Sequence, residues 1–236
     1  MRAHRPPSPR RAALRGLSLL EVLLGLSIGL FVAASATVLL HQLLGENRRL
    51  LLQLRLERQV QTVADLVLRD LRRAGHWARA DEGIKRLGQL PPDNPYARID
   101  DALPERPGDT LRFAYADADS AAAGVQANEQ AGFRLRDGIV DMRLGGRWQP
   151  LTDPASITVT AFELSLHQRA LDLERHCDTP RPQGRCLPGE TCPPRLLQRR
   201  VALRLEAQSA QEPALRHALR GEVALRNEVV EGVCPL

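Results

Sequence analysis

The chain has 236 residues, 43% of them hydrophobic but only 3% aromatic. That is room for one sizeable domain plus an extended element, with a core built mainly from leucine, valine and alanine. Its 33 basic residues exceed its 28 acidic ones, a balance that raises nucleic acid as a partner. Position removes that reading: Arg2, Arg5, Arg10, Arg11 and Arg15 all precede Gly16 in a stretch without an acid, and the remainder is balanced at 28 of each sign. The excess charge is a targeting feature, and no nucleic-acid partner is expected.

From Leu17 to Leu40 the only charge is Glu21, and Val22–Leu40 is a run of 19 uncharged residues. Such a run matches the roughly 20 residues of a membrane-spanning helix. The arginines before it place the N-terminus in the cytoplasm and export the rest of the chain. Three readings compete: a secretory signal with an A-x-A-like site at Ala34-Ser35-Ala36, an uncleaved anchor, and a reading that explains Glu21. A carboxylate within an apolar span costs roughly 2.5–3.5 kcal/mol at mid-membrane and less near its edge, and a plain signal or anchor gains nothing from it. Gly25-Leu26-Ser27-Ile28-Gly29 matches G-x-S-x-G, but a nucleophile elbow needs a strand–turn–helix setting. Gly25 and Gly29 also form G-x-x-x-G, either a helix-packing face or simple tolerance of small residues in a membrane helix.

The string Gly16-Leu17-Ser18-Leu19-Leu20-Glu21 resembles the type IV prepilin motif. The resemblance implies that prepilin peptidase cleaves between Gly16 and Leu17 and that Leu17 becomes an N-methylated terminus. It also implies that Glu21, at the fifth mature position, forms an assembly charge pair with the N-terminal amine of a neighbouring subunit. An ammonium at close range offsets much of the desolvation of a buried carboxylate. Leu17 departs from the phenylalanine usual in major pilins.

Glu46–Arg73 has no proline, and Leu52, Leu56, Val60, Val63, Val67 and Leu71 recur at helical spacing between charged residues. A helix over Leu17–Ala74 is therefore expected, about 87 Å long, with Gly75 as its C-terminal stop. The expected organisation is a leader over 1–16, a transmembrane and filament-core helix over 17–44, an amphipathic continuation over 45–79, and a β-rich head over 80–236. The run Asp70-Leu71-Arg72-Arg73-Ala74-Gly75-His76-Trp77 resembles PilW-type minor pilins and, more loosely, the J-type pseudopilins of type II secretion.

Five prolines mark 80–108 as a loop. Strands are expected at Leu111-Phe113-Tyr115, at Ile139–Leu144 and Arg147–Leu151 flanking Gly145-Gly146, and at Ile157-Val159 running through a bulge into Phe162-Leu164-Leu166. Two more are expected at Val201-Leu203-Leu205 and Leu219-Val223-Leu225. A long helix followed by mostly antiparallel strands is an α+β, type IV pilin-like fold. The passages at 145–154 and Val223-Ala224-Leu225-Arg226-Asn227 also resemble PilW-type heads. Trp148 reads as a half-buried sheet residue.

No convergent set of titratable groups nominates a reaction, so no catalytic residue, metal or cofactor is expected. Cys177, Cys186, Cys192 and Cys234 lack zinc-ligand spacing; in an exported domain they read as two disulfides, with three pairings open. Cys177–Cys186 with Cys192–Cys234 is preferred, because it closes a Pro/Gly-rich loop locally. The resemblance as a whole implies a structural minor pilin in the initiating or tip complex of a type IV pilus. Its implied partners are prepilin peptidase, the inner membrane, other minor pilins, the major pilin and a tip adhesin. Pilus-dependent twitching motility and cell adhesion, and a location that passes from inner membrane and periplasm to the cell surface, come with it. A type II secretion pseudopilin and a signal-anchored periplasmic binding domain are the alternatives.

Overall fold

A computed structural model describes residues 18–83, 94–101, 106–117, 124–177 and 191–234. Gly16, Leu17 and Cys186 lie outside the described residues. The chain divides into two compact units, Met1–Leu50 and Leu51–Leu236.

The first element is a 53-residue helix, α1, over Leu19–Leu71. Every position from Ser18 to Leu50 is exposed, and the helix is long and apolar enough to cross a membrane. Further along, Leu56, Val60, Val63, Ala64, Val67 and Leu71 are buried, the stripe that the 3.6-residue period selects. Each leucine or valine in it contributes about 1.5–3 kcal/mol. The helix ends three residues before the expected Ala74. Gly75 then takes φ +76°, a conformation that glycine adopts without steric cost.

Nine strands come after it among the described residues, in two antiparallel sheets. The first is a meander in sequence order: β1 (Ile99–Asp100), β2 (Thr110–Ala114), β3 (Gln130–Arg136), β4 (Ile139–Leu144) and β5 (Arg147–Pro150). In the second, β7 (Arg195–Ser209) lies between β6 (Ile157–Asp172) on one side and β8 (Arg216–Ala224) and β9 (Val229–Glu231) on the other. The expected bulge in β6 is a register shift between Val159 and Ala161. Gly108 joins the sheets by exchanging backbone hydrogen bonds with Leu164 at 2.9 and 2.8 Å. Leu111, Phe113, Phe133 and Val140 from the meander meet Phe162, Leu164, Leu203 and Leu205 in one core with the α1 stripe. Gly221 on β8 lets the helix approach: a Cβ there would lie 2.6 Å from Leu68 Cδ1. This is the α+β arrangement expected from the sequence.

Three strands were not expected. β3 is a full seven-residue strand, β9 pairs with the start of β7, and β1 falls within the proline-rich stretch assigned to loop.

The preferred cysteine pairing is corrected. Cys177 bonds Cys234, with Cα atoms 5.4 Å apart and 57 residues of separation, and Cys192 is also disulfide-bonded. The physical reason is β9: its pairing along Arg195–Leu197 carries Cys234 to the end of the β6–β7 ribbon, where Cys177 comes after β6. Local loop closure favoured Cys186, but ladder register decided the partner. Closing so long a loop contributes about 4 kcal/mol on the chain-entropy account. Because the two cysteines share one bond, Cys177→Ser and Cys234→Ser should lower the midpoint of urea unfolding by the same amount. A much larger loss for Cys234→Ser would overturn the pairing.

Candidate functional site

Two regions carry the residues singled out by the sequence, and each belongs to its own unit. The first is the start of α1. Ser18 accepts the Glu21 N–H on its Oγ at 3.2 Å and on its carbonyl at 3.0 Å, so it is the N-cap that the preference for serine there predicts. Glu21 therefore sits in the first turn, where unpaired N–H groups and the helix dipole favour a carboxylate. This local role is independent of any neighbour. Ser27, Ser35 and Thr37 turn their hydroxyls back onto the carbonyls of Leu24, Phe31 and Ala33 at 2.8 Å, which removes three polar groups from an otherwise apolar surface. Nothing lies within 4 Å of a Cβ placed at Gly25 or Gly29.

The second region is the exit of α1, where the last carbonyls have no partner within the helix. Local backbone closes several of them, the Arg73 N–H donating to Asp70 at 3.0 Å and the Ala74 N–H to Leu71 at 3.1 Å, and side chains from far along the sequence close the two carbonyls that come after. Asn227 Nδ2 donates to the Ala74 carbonyl at 3.0 Å, and Asn94 Nδ2 donates to that of Gly75 at 2.8 Å. The Gly75 N–H donates to Ala114 at 2.9 Å, and the His76 carbonyl accepts from Ala116 at 2.8 Å, so the exit is stitched to the end of β2. Arg73 stacks over Tyr115, with its guanidinium carbon 4.0 Å from the ring centroid. His76 is exposed, and Trp77 is half-buried and covers Gly83.

Arg199 holds the two asparagine segments together. Only 6% exposed, it donates through Nη2 to the Asn227 carbonyl at 2.8 Å and through Nη1 to that of Ala97. Burial pulls its pKa below the ordinary arginine value, and the Glu231 carboxylate partly opposes that shift. The Asn94–Ala97 turn is fixed in turn by Tyr96, whose hydroxyl donates to Glu129 at 2.8 Å. Glu129, 1% exposed, also accepts from the backbone of Gln126 at 2.7 Å and of Asp117 at 3.2 Å. Asp70, half-buried nearby, has its carboxyl pushed up by burial, with Arg69 and Arg73 acting against the shift.

Elsewhere the head is held by ordinary sheet chemistry. Asp141 is buried between the Arg134 and Arg136 guanidinium groups at 2.9 and 3.2 Å, and Arg134 stacks on half-buried Trp148 at 4.4 Å. Among the described residues no group of three or more His, Cys, Asp or Glu could hold a metal ion.

A long apolar N-terminal helix followed by antiparallel sheets is a pilin-like arrangement. The model of the family described as prepilin peptidase-dependent protein B matches residues 49–225. The chain belongs to that family, and prepilin peptidase dependence is what the family's description implies. The matched span includes Asp70–Trp77 and ends at Leu225, the last buried residue before Asn227. No curated protein and no solved structure matches the chain.

Sequence reasoning reached Gly75 as the stop after the helix, named Asn227 only as the last residue of a passage resembling PilW-type heads, and did not reach Asn94, Arg199 or Glu129. For Arg199 a signal existed: position 199 shares inward parity with the apolar residues at 201, 203 and 205. Asn227→Ala strips the Ala74 carbonyl of its donor, and a half-buried acceptor left unsatisfied costs about 1–3 kcal/mol. The variant should lose that much in chemical unfolding while the sheet content seen by circular dichroism is retained. A loss below about 0.3 kcal/mol would mean that water replaces the asparagine without cost.

Proposed function

We propose that this protein is a minor pilin of the PilW type, a structural subunit that acts in the initiating or tip complex of a type IV pilus. The observation that carries the reading is the surface of α1 in a chain of a prepilin peptidase-dependent family: over Ser18–Leu40 it is apolar and exposed, with Glu21 as its single charge. In this reading the peptidase cuts between Gly16 and Leu17, and Leu17 is N-methylated. Residues 17–44 serve first as membrane span and later as filament core, 45–79 join them to the head, and 80–236 lie in the periplasm and then on the pilus. The head would reach the cell surface only as part of the filament. Glu21, besides its place in the first turn, pairs with the Leu17 amine of the next subunit. Gly25 and Gly29, which carry no side chain, offer that neighbour a close approach. The partners are other minor pilins, the major pilin and a tip adhesin.

Intact mass of the protein extracted from membranes is the first test. It should correspond to a methylated chain starting at Leu17, and a chain starting at Thr37 would restore the secretory-signal reading. Glu21→Ala should leave insertion and leader removal intact while cutting incorporation into surface filaments at least tenfold, scored on sheared pili. Wild-type piliation in that strain counts against the charge pair. Deleting the gene separates the two filament systems: loss of surface pili with secretion intact supports a pilus subunit, and the reverse outcome transfers the protein to a type II secretion pseudopilus.

A further inference from the structure

β6 runs for 16 residues at the edge of the second sheet, with β7 on one side only. Leu164 donates to Gly108 at 2.8 Å and accepts from it at 2.9 Å, so its backbone polar groups point away from β7. In an antiparallel ladder that direction alternates from one residue to the next. The register of β6 against β7 is regular from Ala161 to Asp172. The N–H and C=O groups of Leu166, Gln168 and Ala170 therefore point the same way as those of Leu164, and nothing among the described residues pairs with them. His167, Gln168, Arg169 and Ala170 are all exposed, so both faces of the ribbon are open beside this edge. His167 and Arg169 lie two residues apart on one face. Neither has a carboxylate partner among the described residues, whereas Arg200, across the ladder from His167, is paired with Glu222 at 3.3 Å. The other edges differ: β1 has two residues, β5 ends in Pro150, and β8 carries both signs on one face, Arg216 and Arg220 with Glu222.

We propose that the edge of β6 over Leu166–Ala170 receives an extended segment of another protein as an added antiparallel strand, one with acidic side chains at every second position. The outward backbone groups of Leu166, Gln168 and Ala170 supply the ladder, and His167 and Arg169 select the charge. Main-chain hydrogen bonds give such an addition its affinity, and alternate side chains give it specificity. Opposite charges on facing positions of a sheet stabilise it, and like charges destabilise it. The same rule disfavours a second copy of this chain: two β6 edges laid antiparallel about Gln168 set His167 of one against Arg169 of the other. On the opposite face Gln168 and Ala170 present neither charge nor bulk, so the acidic positions decide the partner. An open edge is a hazard that proteins otherwise blunt or cover. One pairing step earlier, at Leu164, this edge already takes up backbone from outside its sheet in the form of Gly108. The edge is a property of the head and works the same way whether or not the chain enters a filament.

Amide hydrogen exchange on the full chain in detergent micelles tests this, with a synthetic peptide of alternating glutamate and valine, about six residues long, as the added strand. Without peptide, the amides of Leu166, Gln168 and Ala170 should exchange at least tenfold faster than those of Ser165, His167 and Arg169, which bond β7. Equal protection overturns the proposal, because the chain itself then covers the edge. Millimolar peptide should slow the three edge amides at least tenfold and leave the other three within twofold; no slowing overturns it. In an antiparallel addition the glutamates face His167 and Arg169 while the valines make the hydrogen bonds. The same peptide N-methylated on its valines keeps its charge and should protect nothing; protection by it means that the contact is electrostatic and no strand is added. Arg169→Glu, at an exposed position, should weaken the glutamate peptide at least tenfold and let a lysine–valine peptide protect the edge in its place. Unchanged affinity for the glutamate peptide removes the charge selection and sinks the proposed partner.

Discussion

The head depends on closing one end of one helix. The chain leaves α1 inside the protein, at the point where it turns from helix to sheet, and carbonyls buried there without partners carry a penalty of a few kcal/mol. Local capping answers only part of it. Gly75 makes the turn, but the carbonyls of Ala74 and Gly75 are satisfied by Asn227 and Asn94, and those asparagines are placed by Arg199, Tyr96 and Glu129. A buried polar network stabilises in proportion to how completely it is bonded, and here the guanidinium Nη atoms of Arg199 are bonded while its buried Nε has no partner among the described residues. The turn before β1, the turn before β3, strand β7 and the link between β8 and β9 each supply a piece, so the network ties separate parts of the sequence to the end of the helix.

Much of this was legible in the sequence, for identifiable reasons. The α1 stripe comes from spacing alone, and Leu56, Val60, Val63, Val67 and Leu71 are buried as that spacing requires. Gly145-Gly146 announced the β4–β5 hairpin, and the change of phase in β6 announced its bulge. β3 escaped notice because Gly132 interrupts a strand whose apolar side chains, Ala131, Phe133 and Leu135, alternate with glycine and arginine. β9 escaped because three residues carry too little pattern. The disulfide escaped with it, since nothing in the spacing of four cysteines reports where a three-residue strand will pair. Arg199 was hidden by its neighbour: an arginine pair reads as a solvated edge, and only strand parity separates the buried member from the exposed one.

The family relationship and the structure bear on different parts of the chain. The family model covers 49–225, the amphipathic half of α1 and most of the head, whereas the residues that suggested a cleaved, filament-forming subunit lie before it. The two lines of reasoning are independent, and they agree on a pilin-like protein. Glu21 shows how they interlock. A carboxylate in an apolar run looks anomalous until Ser18 is seen to cap the helix, which gives Glu21 a favourable place in the first turn.

The order of the cysteines has a consequence for biogenesis. In the exported head proposed above, Cys177 enters the oxidising compartment before Cys234, because β7, β8 and β9 all lie between them. During that interval Cys186 and Cys192 are the thiols within reach, and closing a short loop is fast. A bond from Cys177 to either of them is non-native, and reaching the native bond from it requires thiolate attack and exchange. The yield of correctly bonded protein should thus depend on disulfide isomerisation in the compartment that receives the head, with oxidising strength a secondary factor. A host that oxidises well but shuffles poorly would fill with scrambled, protease-sensitive chains whose sequence is unaltered.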